Sequence, residues 1–109
     1  MMDIKKMLED GTKLTWKELR YLKTPKAPWF IFIDNTSIGG ADSLNNIIEH
    51  DLTLEYYYEN EDLQIEKTIE DFLNNEDYTY DKNTDWLEEE QMFVTIYELD
   101  TFLEKIKKG

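Results

Sequence analysis

Residues 29–58 read WFIFIDNTSIGGADSLNNIIEHDLTLEYYY, and their reading decides the fold. The opening WFIFI is apolar on both faces, with Trp29, Ile31 and Ile33 on one and Phe30 and Phe32 on the other. Such a run predicts a central strand covered on both sides. The closing stretch alternates. Leu52, Leu54, Tyr56 and Tyr58 point one way, and Asp51, Thr53, Glu55 and Tyr57 the other, as in a strand with one polar face. Between them lies NTSIGGADSLNN, small and polar, with Gly39 and Gly40 adjacent. We expect a long loop over 36–48, well beyond the roughly 4–6 residues of most connections. A loop of that length points to ordering by another copy of the chain or by a neighbouring protein. Its anchors would be Ile38 and Leu44, its hinge Gly39 and Gly40, and Asp42 a polar contact.

Working outward, Asp3 is a candidate N-cap for a helix over 1–11, with Ile4, Met7 and Leu8 on one face and Gly11 at its end. TWKELRYLKT (15–24) reads as a strand, for its Thr, Trp and Tyr. Pro25 and Pro28 then impose a stiff bend. After Tyr58 comes the clearest helix, NEDLQIEKTIEDFLNN, with Asn60 as N-cap and Ile65, Ile69, Phe72 and Leu73 forming an apolar stripe. YTYDKNTDWLEEE (78–90) reads as a strand entering an Asp/Asn-rich turn, and QMFVTIYELDTFL as a final strand. A basic tail, 104–109, would fray or form a short helix. The expected order is α-β-β-β-α-β-β in a single α+β domain over 1–109: a mainly antiparallel sheet of four or five strands with two helices packed on one face.

Composition narrows function. The 109 residues contain no cysteine and one histidine, His50, which excludes cysteine zinc sites and disulfides and leaves no His-based metal site. No apolar run approaches the ~20 residues of a membrane-spanning helix. The net charge of −13 is segregated. Residues 1–28 carry seven basic and four acidic groups, whereas 29–104 carry two basic and twenty-one acidic ones. So acidic a body disfavours binding to a phosphate backbone. The GGAD run lacks the lysine of a phosphate loop. Asp81, Asn83 and Asp85 are spaced like the start of a calcium loop, but Trp86 stands where glycine belongs and Met92 where the bidentate Glu belongs. His50 reads as a strand-entry residue. We expect no enzymatic activity, no cofactor, no specific nucleic-acid binding and no membrane association.

The ordered landmarks carry a resemblance. KTPKAPWFIFIDN is followed by GGADSLNNI, then LTLEYYYE, the helix LQIEKTIEDFL, the acidic TDWLEEEQMF and a last strand VTIYELD. This sequence of segments resembles the tail completion, or tail terminator, proteins that join head and tail in long-tailed bacteriophages and Gram-positive prophages. The likeness spans residues 14–101. It departs from the pattern at Trp29, where relatives tend to have Tyr, and at Tyr58, where they tend to have Thr. The resemblance implies a homo-oligomer, a hexameric ring, that caps the tail tube, ends its elongation and offers a docking face to the head connector or stopper protein. It implies a place in the virion at the head–tail interface, after assembly in the host cytoplasm. The basic N-terminal segment, above all Lys17 and Arg20, would meet the acidic body of the next copy. An alternative reading of the same charge is an acidic DNA mimic that inhibits a nuclease or repressor.

Overall fold

The computed structural model describes residues 2–39 and 47–105. Gly40, Asp42 and Leu44, with the rest of 40–46, and the tail from 106 onward lie outside the described residues. The element order is α1 (Ile4–Thr12), β1 (Trp16–Glu18), β2 (Trp29–Gly39), β3 (Ile47–Tyr58), α2 (Leu63–Asn75), β4 (Tyr80–Leu87), β5 (Met92–Leu99) and β6 (Phe102–Lys105). This is the expected α+β architecture with one strand more.

The Asp3 carboxylate caps α1, accepting from the Lys6 N–H at 3.1 Å. The helix runs through Gly11 rather than ending there, and Phe72 of α2 packs against that position so closely that any side chain would overlap its ring. The reversal falls on Lys13 instead, in the left-handed region at φ 62°. Thr12 then organises the passage into β1. Its hydroxyl donates to the Leu8 carbonyl at 2.7 Å and accepts from the Trp16 indole N–H at 2.9 Å and the Leu14 N–H at 3.2 Å. Trp16 is thereby fixed in the core, tilted against Phe30 with ring centres 5.3 Å apart.

Strand β1 is short, because the reading of 15–24 as strand holds only for Trp16–Glu18. It pairs parallel to β2, and all other pairings are antiparallel. A parallel neighbour requires a crossover; here residues 19–28 make it, with a cis Ala27–Pro28 bond. Strands β2 and β3 pair from Trp29↔Tyr57 to Gly39↔Ile47. The expected loop over 36–48 is therefore too wide at both ends: Thr36–Gly39 and Ile47–Ile48 are strand. Thr and β-branched Ile suit a pleated ladder, and two-strand pairing satisfies their backbone groups.

The sheet order is β1-β2-β3-β5-β4, and β6 also pairs with β3. One edge of β3 is thus divided: β5 takes Thr53–Tyr58 and β6 takes Ile47–His50. The expected final strand breaks at Asp100–Thr101, and beyond Phe102–Leu103 the strand runs on through Glu104–Lys105 rather than fraying into a helical tail, since the projecting half of β3 offers it a ladder. Two further expectations shift. Asp62, not Asn60, caps α2, accepting from the Gln64 N–H at 3.0 Å. The Asp/Asn run 81–85 is not a turn but continuous strand. Its odd residues lie on the face away from the helices, while the turn falls on Glu88–Gln91, closed by the Gln91 amide on the Glu88 carbonyl at 2.7 Å. Both helices pack on one face, where Ile4, Leu8, Ile69, Phe72 and Leu73 meet Trp16, Phe30, Phe32, Leu52, Leu54, Tyr56, Tyr97 and Leu99. Burial of these side chains, at roughly 25 cal/mol per Å² of apolar surface, is the main stabilising force.

Candidate functional site

The opposite face of the sheet is also apolar at its centre. Trp29 stacks on Tyr57 with ring centres 5.1 Å apart, and the register sets Ile31, Val94 and Met92 around them. The crossover 19–28 covers only part of this stripe. Arg20, Tyr21 and Thr24 overhang Trp29, Ile31 and Tyr57, leaving a groove of about 260 Å³ closed at its far end by Leu87, Glu90 and Met92. Leu19 and Leu22 of the crossover project outward, Leu22 at 94% exposure.

The candidate residues fall into two groups. Lys17 lies on β1 and Arg20 just beyond it, both exposed. Ile38, 67% exposed, and Gly39 stand at the far end of β2. Lys17 is opposite Ile31, so Ile38 is seven residues further along the strand, about 23 Å away at 3.3 Å per residue. The fold does not bring the two groups together.

The fold does separate the charges. Lys13, Lys17 and Arg20 lie on or beside β1 and Lys23 and Lys26 follow in the crossover, and among the described residues none of the five is in an ion pair. Two of the outer backbone groups of β1 are occupied: the Trp16 N–H by Glu9 at 3.0 Å and the Glu18 carbonyl by the Arg20 N–H at 2.8 Å. These two contacts, and the shortness of the strand, limit strand addition at that edge. Strand β4 forms the opposite edge, with Asp81, Asp85, Glu88, Glu89 and Glu90 all exposed.

Beside β4, a polar network ties α2 to the sheet. The Lys82 ammonium sits 2.7 Å from both Glu66 and Glu70. Burial alone would depress its pKa, but these two carboxylates outweigh that and raise it. The Tyr97 hydroxyl donates to Glu70 at 2.9 Å, and its pKa is raised by burial and then by that acceptor. Thr95, fully buried, links the Tyr58 and Thr84 hydroxyls at 2.9 Å each.

A second buried cluster escaped the sequence reading. His50 is not a strand-entry residue. It lies inside β3, 1% exposed, with Nδ1 2.6 Å from Asp34 of β2 and Nε2 2.8 Å from Glu104 of β6. Its ring stacks on Phe102 at 4.8 Å. Burial pulls the imidazolium pKa down, and the Asp34 and Glu104 carboxylates more than reverse this, so it is raised. Both ring nitrogens are engaged, and the group ties three strands together rather than standing as a free base. Glu104 also accepts the Met2 N–H at 2.6 Å, and His50 holds its pKa below the ordinary value. The signal was present in the alternation: counting back two from Leu52 and on two from Phe32 puts His50 and Asp34 on the helix-side face.

Among the described residues, no three His, Cys, Asp or Glu side chains are grouped to hold a metal ion, and no helix is long and apolar enough to cross a membrane. A scan against protein-family models finds no match to this chain, and a search of curated proteins finds none.

Proposed function

We propose that this chain is a structural, non-enzymatic subunit of a head-to-tail ring, the capping ring of a bacteriophage tail tube. In this role it ends tail elongation and receives the head connector. The observation that carries the reading is the opposite charge of the two ends of one sheet, basic at β1 and acidic at β4. A heterologous contact needs two different, complementary patches on the same molecule, and a rotation that closes makes a ring. The segment order described above supplies the phage context, and a hexamer is its expected closure. The half-covered stripe around Trp29 and Tyr57 suits a face that meets a second protein, since exposed apolar surface of this kind marks interaction sites.

The test is affinity capture from infected cells with the full chain as bait, together with tail-length measurement by electron microscopy when its gene is deleted. Recovery of tube and connector proteins, with overlong tails in the deletion, supports the reading. Recovery of a nuclease or repressor, with normal tails, overturns it in favour of the acidic mimic.

A further inference from the structure

Between α2 and β4 lies a cleft of about 330 Å³, lined by Tyr58, Glu61, Glu66, Lys82, Thr84 and Phe93. Glu66 is 7% exposed, and its Oε1 is held by Lys82. Its Oε2 is buried and has no hydrogen-bond partner. A buried carboxylate oxygen without a donor costs free energy, so it calls for one. The cleft supplies what a cation needs. Glu61, Glu66 and the adjoining Glu70 outnumber Lys82 by two charges. Phe93, 36% exposed, offers its ring, and Trp86 packs edge-on against it at 4.8 Å. Carboxylate and ring faces together are a receptor for a lysine or arginine head group.

On β1 and the crossover that follows it, Lys17, Arg20, Lys23 and Lys26 have no ion-pair partner among the described residues. We propose that the α2–β4 cleft is the socket for a basic side chain from the Lys17–Lys26 stretch of a second copy of this chain, which donates to Glu66 Oε2. This rests on the ring reading and names the contact that builds it. The site is incomplete in one chain, because among the described residues Lys82 is the basic group paired with Glu66 and it holds only Oε1.

The test is sedimentation velocity of the full chain over a range of concentration and salt, with two variants. The first, Glu61→Gln with Glu66→Gln, empties the socket of charge while keeping its shape. The second, reversal of Lys17, Arg20, Lys23 and Lys26 to Glu, removes the plug. Circular dichroism checks that each is folded, and Glu61→Gln alone, at the exposed rim, serves if the double change is not. We expect the parent chain to associate, more weakly as salt rises, and each variant to associate at least about tenfold more weakly. An equimolar mixture of the two variants should form dimers and nothing larger, since only one intact socket meets one intact plug. If the parent forms rings and the Gln variant does so equally well, solvent alone fills the socket and the proposal falls while the ring stands. If the parent stays monomeric at every concentration, with or without salt, both fall.

Discussion

Alanine at position 11 tests the packing of the helical layer with an unusual sign. In an exposed helix, Gly→Ala stabilises by about 1 kcal/mol, because glycine loses more backbone entropy and packs nothing. Position 11 lies inside α1, yet a Cβ there would overlap Cδ1 and Cε1 of Phe72 and stand 3.2 Å from Cγ. The ring has little room to retreat: Phe72 is 6% exposed and tilted against Tyr78 at 6.4 Å. Overpacking of this kind costs about 1–3 kcal/mol, and more when backbone must shift. The overlap is deep, so we take the upper part of that range, which leaves Gly11→Ala net destabilising by about 1–2 kcal/mol. At roughly 4–8 °C per kcal/mol for a domain near this size, Tm should fall by on the order of 5–15 °C. Thermal unfolding followed by circular dichroism measures it. Phe72→Leu shortens the obstructing ring, so the double variant should recover part of the loss, with a coupling of at least about 0.5 kcal/mol. A Gly11→Ala chain as stable as the parent, or more so, would refute the claim that α1 and α2 meet at this point.

The His50 tie should make stability depend on pH. Its folded pKa is raised, so its contribution is fully present below the unfolded value of about 6.5 and is lost as pH rises through the folded pKa. Urea midpoints that do not fall on the alkaline side of 6.5, or an imidazole NMR titration at or below it, would contradict this. Asp34→Asn should lower the His50 pKa, read by the same NMR signal. Thr95→Val leaves the Tyr58 and Thr84 hydroxyls without their shared partner and should cost about 1–3 kcal/mol in chemical denaturation. Lys17→Glu with Arg20→Glu should leave the far-UV spectrum unchanged while tails in complemented phage grow past their normal length; normal lengths would count against the basic edge as an assembly surface.

The strands and helices were legible where one local period dominates. The alternation from Leu52 to Tyr58 and the stripe Ile65, Ile69, Phe72, Leu73 fall on the core as expected. Local polarity misled where pairing decides. Asp81–Asp85 look like a turn because Asp and Asn favour turns, but β5 offers each of them a ladder partner and solvent accepts the odd side chains. Thr36–Ile38 and Glu104–Lys105 are strand for the same reason, set by non-local neighbours that no short window contains. The charge asymmetry was plain in the sequence; that it lies at the two ends of one sheet depends on the strand order. Glu66 was hidden for a different reason. It sits three residues before Ile69 and seven before Leu73, on the inner stripe of α2, where an acid reads as a solvated interruption until Lys82 is seen beneath it.

The divided edge of β3 has a consequence for the hierarchy of amide hydrogen exchange. Protection factors need not be uniform along one strand, since opening free energies run from near zero to that of global unfolding. The amides of β3 that face β5 lie between two long strands beneath the helical layer, and they open only when that whole unit does. Those that face β6 are guarded by a four-residue strand held by its ladder and by the His50 tie. Release of β6 frees them while Thr53–Tyr58 stays paired. β3 therefore exchanges as two units with a boundary near Asp51, and the unit nearer Ile47 becomes the faster of the two, beyond the intrinsic rise in exchange with pH, once His50 has lost its proton.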